Sequence, residues 1–292
     1  MKFSASKALS ESFTIFTGRF TAMAPIAVIF ALVPLAVFMA FFSSSFAGLQ
    51  QNQSNPAAAM QSILAIVGSF SLVFIGYMLV RTLGVCALCI AASSRQTPSL
   101  GEAIRAGLRA MLPMIGVYLL LIVGYVVVAI VFALTIGLSF MGLFTASAAG
   151  GQAPGAGSVI GVILAGTVIM VAVFYIFTKL SMIVPVIVID QERSPVKAIS
   201  RSWSLTRGAS FKIFLLLLLI GFGAGIVNGA LNALSGGAVS FDPSNGAGVV
   251  WSQVAITAIS GTVFAMYFTS LIVAIHEQLA GPSVAAISNT FE

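Results

Sequence analysis

Charged residues are scarce in this sequence. Only 7% of the 292 residues are Asp, Glu, Lys or Arg, whereas roughly 25% is usual in soluble proteins. Hydrophobic residues make up 59% of the chain, and the mean hydropathy is +1.12. This composition excludes an ordinary soluble domain and predicts a single membrane domain over residues 1–292.

Residues that support catalysis or metal binding are also few. The chain has one histidine, His276, and two cysteines, Cys86 and Cys89, which lie in an apolar stretch. A zinc site needs two further ligands, so we expect both cysteines to be small core residues. His276 and Glu277 are adjacent and do not face each other on a helix, so we expect them to be solvated at a membrane boundary. No catalytic residue, metal ligand or cofactor site is predicted, and an intramembrane enzyme has the least support.

Six apolar stretches dominate the sequence. Each is long enough to cross a hydrocarbon layer of roughly 30 Å at about 1.5 Å per helical residue. The sequence therefore predicts an all-α integral membrane protein with six transmembrane helices. The stretches cover about 21–46, 59–92, 112–142, 158–190, 211–235 and 249–280.

The basic residues mark one side of the membrane. All 13 Lys and Arg residues precede the first span, follow the second or fourth span, or lie at the adjoining span ends. The other connections, 47–58, 143–157 and 236–248, contain one charge, Asp242. The positive-inside rule then predicts that both termini are cytoplasmic. Because topology accounts for the pI of about 9.7, we do not expect nucleic acid as a partner.

Two basic residues lie near the inner ends of the second and fourth spans. Arg81 and Lys179 each come about 20 residues after the start of a span, where the hydrocarbon layer should end. We expect their side chains to extend to the boundary and to contact lipid headgroups. The alternative is that they gate a channel.

A short segment recurs three times. SASKALSESF (Ser4–Phe13), SLGEAIRAGL (Ser99–Leu108) and SPVKAISRSW (Ser194–Trp203) align, and their alanines lie 95 residues apart. A fixed period over the whole chain indicates repeats. We predict three units, each an interfacial amphipathic helix followed by a transmembrane hairpin. The units cover about 1–95, 96–190 and 191–285.

The recurring segment has the features of a helix at the membrane surface. Its first residue, Ser4, Ser99 or Ser194, is a favourable N-cap. In the third copy, apolar residues and Trp203 fall on one face, and Lys197 and Arg201 lie on a neighbouring face. These residues and Arg207 are candidates for contact with the headgroups of membrane lipids, anionic ones among them. The favoured interpretation is that the charges primarily set the orientation of the chain.

The even-numbered spans continue as apolar sequence beyond the expected boundary. These ends need cover from water, and the interfacial helices are the available partners. Pro185 lies in the end of the fourth span, where we expect it to kink the helix.

The stretch VPVIVIDQERSPVKAISRSWSLTRGASFKIF, Val184 to Phe214, resembles the membrane domain found in some bacterial glycerophosphoryl diester phosphodiesterases. The resemblance rests on Pro185, the acidic pair Asp190 and Glu192, Ala198 and the run RSWSLTRG. It implies a bacterial inner-membrane protein. It does not imply catalysis, because the reaction of the fused enzymes belongs to a separate soluble barrel.

These observations support two hypotheses about function. The first is a non-enzymatic lipid-associating protein or membrane scaffold. The alternative is a transporter or channel for a small solute or a lipid, since transporters often contain internal repeats. A protein partner and the oligomeric state are left open.

Overall fold

The computed structural model describes residues 3–51, 56–93, 98–148, 156–234 and 251–281. Within these ranges every regular element is helical, and a π-helical turn at Val28–Leu32 joins the second helix to the third. The helices are α1 (Ala5–Gly18), α2 (Phe20–Ala27), α3 (Val33–Gln51), α4 (Pro56–Ala92), α5 (Leu100–Ala148), α6 (Ala156–Leu180), α7 (Ile183–Val188), α8 (Pro195–Leu205), α9 (Ser210–Leu234) and α10 (Trp251–Ala280).

Six helical segments are long and apolar enough to cross a membrane. Large apolar side chains such as Leu72, Val123 and Phe211 are exposed along them, as expected of a protein whose spans face lipid. The prediction of an all-helical membrane protein with six spans is therefore confirmed. The segments are Phe20–Phe42, Ala65–Ala92, Leu100–Val127, Gly166–Val188, Ser210–Leu234 and Val254–Ala280.

The buried core lies at one end of the bundle, which we call the basic end because α8 and its cations lie there. It contains the last turns of α4, the whole of α7 and the last turns of α10. Cys86 and Cys89 are free and buried in it, as predicted. The apolar ends of the even-numbered spans are thus covered by other parts of the chain.

The cover comes from three segments, 4–18, 99–112 and 194–205, which we call the serine-capped segments. Their aligned alanines, Ala8, Ala103 and Ala198, are each 0% exposed. One turn later each segment again has a small residue, which is Ser12, Gly107 or Ser202. Small residues at this spacing let helices approach closely. The segment 4–18 packs on α10, 99–112 packs on α4, and 194–205 packs on α6 and α7.

The second serine-capped segment does not form a separate helix. It is the beginning of α5, which runs without interruption from Leu100 to Ala148, so the prediction of an independent interfacial helix there is wrong. The first segment ends where Arg19 leaves helical geometry, and the third ends before Gly208, whose φ is +87°. In the second segment the residue aligned with Gly208 is Pro113. Because proline fixes φ near −65°, Pro113 cannot adopt the left-handed backbone that ends a helix.

The fourth span is interrupted near Pro185. The helix α6 ends at Leu180 and α7 begins at Ile183, so the break falls at Ser181 and Met182. A proline has no N–H to donate, and its ring crowds the carbonyl group four residues earlier. For Pro185 that residue is Ser181. The helix is therefore interrupted completely where a kink was predicted. After the interruption, α7 packs in the core.

The first two spans are in close contact at Gly84. A Cβ atom at this position would collide with Cβ of Phe30 and lie 3.1 Å from the carbonyl oxygen of Phe30. Alanine raises helix propensity by about 1 kcal/mol over glycine, but overpacking costs about 1–3 kcal/mol. We therefore expect Gly84→Ala to lower the melting temperature in detergent. The control is Gly76→Ala on the same helix, where a Cβ has no neighbour within 4 Å and where we expect no decrease. Equal melting temperatures for Gly84→Ala and the wild type would contradict the close contact.

Candidate functional site

Several of the predicted lipid-contacting residues meet where α6, α7 and α8 pack together. Lys179 is at the end of α6, and Arg201 and Trp203 belong to α8. The hydroxyl group of Ser202 donates a hydrogen bond of 2.7 Å to the carbonyl oxygen of Lys179. This bond joins the third serine-capped segment to the end of the fourth span.

The Lys179 side chain is buried under aromatic rings. Only 3% of the residue is exposed, and its Nζ lies 5.4 Å from the Trp203 ring and 5.5 Å from the Tyr175 ring. Cation–π attraction stabilises an ammonium group in such a position. We expected this side chain to extend to the membrane boundary, but α8 folds over the end of α6 and covers it.

Asp190 links three parts of the chain. The Arg201 guanidinium donates from Nε to Asp190 Oδ2 at 2.8 Å. Nε2 of His276 lies 3.2 Å from the same oxygen. The connection between α7 and α8 is thereby held to both α8 and α10.

His276 is not a solvated boundary residue, so that expectation is wrong. It is 0% exposed, because the connection after α7 folds across the last turns of α10. Its other ring nitrogen, Nδ1, is buried and has no hydrogen-bond partner among the residues that the structure describes. The one histidine of the chain therefore contributes to the core, where its ordered contact is with Asp190.

The environment of Asp190 favours its charged form. Burial raises the pKa of this carboxyl group, but the hydrogen bonds and charges of His276 and Arg201 outweigh burial and hold the pKa below its ordinary value. Asp190 is consequently a carboxylate at neutral pH. Its negative charge partly neutralises the positive charge of Arg201, whose side chain is 50% exposed.

The other predicted lipid-contacting residues lie apart from this cluster. Lys197 is exposed in the first turn of α8. Arg207 is exposed after α8 and lines a cavity of about 430 Å³ together with Lys212. Arg81 is half-buried on α4. The structure thus places Lys179 against Trp203 and Arg201 against Asp190. Lys197 lies one turn before Arg201 on α8, whereas Arg81 and Arg207 lie on other parts of the chain.

The serines begin their helices. The hydroxyl oxygens of Ser4 and Ser194 each accept a hydrogen bond of 3.5 Å from the backbone N–H three residues later. Ser99 forms a capping box, in which its backbone N–H and its hydroxyl group both donate to Oε2 of Glu102.

Asp190 and His276 are a pair that reasoning from the sequence missed. The two residues are 86 positions apart, and the acid was considered only as part of an acidic pair with Glu192. The available signal was the occurrence of the only histidine in a run of apolar residues. Such a side chain needs a polar partner when it is buried.

Residues 157–281 match the model of a family described as the membrane domain of glycerophosphoryl diester phosphodiesterase. The match covers less than half of the chain, and it includes Lys179, Asp190, Arg201 and His276. The resemblance seen in the sequence is confirmed for this part. Comparison with curated proteins and with solved structures gives no match.

Replacing Asp190 tests the linkage between the three parts of the chain. The variant Asp190→Asn removes the carboxylate that faces both His276 and Arg201, and losing a buried charged hydrogen bond costs about 1–3 kcal/mol. We expect a lower melting temperature at pH 7. Because the folded-state pKa is lowered, this stabilisation is present above the ordinary value of about 3.9 and is lost as the pH falls through the lowered value. The difference between wild type and variant should therefore shrink below about pH 4.

The matched control is Glu11→Gln. Glu11 pairs with Lys7 at 3.6 Å, and such a surface pair contributes at most about 1 kcal/mol. Glu11 also accepts a hydrogen bond of 2.8 Å from Gln278, and glutamine keeps a side-chain oxygen that can accept it. Thermal unfolding in detergent at several pH values measures both variants. A pH-independent difference between wild type and Asp190→Asn would contradict a structural role for the carboxylate.

Proposed function

We propose that this protein is a non-enzymatic scaffold of the bacterial inner membrane that associates with anionic phospholipid through its basic end. The observation that carries the proposal is the third serine-capped segment, which buries small residues and exposes Lys197 and Trp203. The family match to a membrane domain supports the location in a membrane.

The basic end is the cytoplasmic end in this proposal, and both termini lie there. The support is the distribution of charge along the sequence, in which the connections at the opposite end contain only Asp242. A cytoplasmic basic end faces a leaflet whose anionic lipids attract basic residues.

Three repeated units build the scaffold. The period of 95 residues supports this organisation, because the three alanines at that spacing are all fully buried. The order of packing supports it as well. The second and third serine-capped segments each cover the end of the preceding unit, and the first covers the end of the last unit. This order closes a ring, as three equivalent units would do.

The surface of α8 fits a membrane interface. Ala198 and Ser202 face the core. The Trp203 ring lies against the Lys179 ammonium group, and part of the residue is exposed at the surface of the protein. Tryptophan is enriched at headgroup depth, and each juxtamembrane basic residue contributes about 1 kcal/mol of attraction to an anionic leaflet. The alternative hypothesis, in which Lys179 gates a channel, has less support. The ammonium group of Lys179 lies against two aromatic rings and is buried.

The double variant Lys197→Gln/Arg207→Gln tests lipid association. Both side chains are exposed and neither contacts Asp190, so the fold should be unaffected. At about 1 kcal/mol for each charge, we expect roughly fivefold weaker binding of phosphatidylglycerol for each cation removed. Lipid retained by the purified protein is measured by native mass spectrometry, with phosphatidylcholine as the uncharged comparison.

Ser200→Gln is the control, since it changes an exposed residue of the same helix without removing a charge. Unchanged retention of anionic lipid by the double variant would argue against the proposal. Saturable uptake of a solute into proteoliposomes would favour a transporter instead.

A further inference from the structure

A groove opens at the basic end between the second and third spans. Its volume is about 820 Å³, and it is bounded by the end of α4, the first turns of α5 and the connection that precedes α8. Its apolar lining includes Ile90, Ala110 and Ile187. Its polar lining includes three arginines, Arg105, Arg109 and Arg193. Asp190 does not line the groove, although its neighbours Ile189 and Gln191 do.

Two acidic residues line the groove in the described part of the chain, and each accepts hydrogen bonds from the serine that begins a helix. The Glu102 carboxylate accepts hydrogen bonds from the backbone N–H and the hydroxyl group of Ser99 at 2.8 and 2.9 Å. The Glu192 carboxylate accepts from the backbone N–H of Ser194 at 3.1 Å. Neither acid forms a salt bridge within the described parts of the chain.

The three arginines form no salt bridge within the described ranges, although the charge of Arg105 acts on the Glu102 carboxylate one turn away on the same helix. Across the residues that the structure describes, no carboxylate lies within 4.0 Å of the guanidinium groups of Arg105, Arg109 or Arg193. Among the described residues the lining contains three arginines and two acids, which is an excess of positive charge. Guanidinium groups prefer planar, bidentate contact with phosphate or carboxylate oxygens. The groove therefore has the chemistry of a site for an anionic oxygen group.

The surface beside the groove indicates an amphipathic ligand. Arg105, Leu108, Arg109 and Leu112 follow one face of α5 at the helical spacing of three and four residues. Leu108 is 55% exposed and Leu112 is 80% exposed. The two arginines thus lie within one turn of leucines that face outwards in a membrane span. An acyl chain contacts the leucines when a charged headgroup contacts the arginines.

We propose that this groove binds the phosphate-bearing headgroup of one phospholipid, with Arg105, Arg109 and Arg193 as the phosphate ligands. The inference rests on the proposed lipid association and assigns it to one site of defined chemistry. A free phosphate ester shares the charged part of this chemistry, but it would gain nothing from Leu108 and Leu112. The attached acyl chain is what distinguishes the two ligands.

The experiment measures binding of a fluorescent phosphatidylglycerol to the full-length protein in neutral detergent. We expect one tight site and at least tenfold weaker binding by Arg105→Gln/Arg109→Gln. The variant Arg105→Lys/Arg109→Lys should retain part of the affinity, because lysine keeps the charge but not the bidentate geometry. Melting temperature and size-exclusion profile show whether each variant is folded. If the glutamine variant does not fold, Arg193→Gln, which changes an exposed residue of a connection, serves with the same expectation.

The control Lys197→Gln/Arg207→Gln separates this inference from the proposed function. Neither of its residues lines the groove, so the tight site should keep its affinity while weaker lipid retention falls. Wild-type affinity in the folded groove variants would overturn the groove assignment and leave the proposed function standing. Absence of anionic-lipid binding by the wild type would overturn both.

Competition identifies the source of the phosphate. Unlabelled phosphatidylglycerol should displace the probe at micromolar concentration, whereas glycerol 3-phosphate and inorganic phosphate should not do so at a hundredfold higher concentration. Displacement by the soluble esters at the same concentration as the lipid would overturn the assignment to a phospholipid.

Discussion

The structure depends on covering the apolar ends of the even-numbered spans. These ends extend beyond the length that is needed to cross the hydrocarbon layer, so their apolar side chains would be exposed to water if no other part of the chain covered them. The serine-capped segments cover them through small residues, of which Ala8, Ala103 and Ala198 are fully buried. A larger side chain at these positions would hold the helices apart. Close packing at this end therefore determines where every polar group of the basic end can lie.

Charges at the basic end are used in three ways. Asp190 is stabilised inside by Arg201 and His276, and this contact holds the connection after α7 in place. Lys179 is stabilised by aromatic rings. The arginines of the groove form no salt bridge among the described residues, and their side chains line the groove. Position in the fold, and not residue type, separates the cations that pair inside the protein from those that face the groove.

The family match and the groove concern different parts of the chain. The matched region, 157–281, contains both ends of the contact between Asp190 and His276. This contact thus lies within the part that is similar to the membrane domain of glycerophosphoryl diester phosphodiesterase. Arg105 and Arg109 lie outside the matched region, so the groove combines residues from within it and from outside it.

The sequence by itself determined the six spans, the helix-starting serines and the burial of the two cysteines, because hydrophobic length and capping chemistry are local properties. Only the tertiary structure decided that His276 meets Asp190 and that Lys179 lies under Trp203, because both contacts join separate segments of the chain. The continuous start of α5 has a local cause, since Pro113 stands at the position that Gly208 occupies after the third serine-capped segment. The sequence predicts that the arginines lie at the basic end, because basic residues occur on one side of the membrane. The packing of α4, α5 and α7 then places three of these arginines in the lining of one groove.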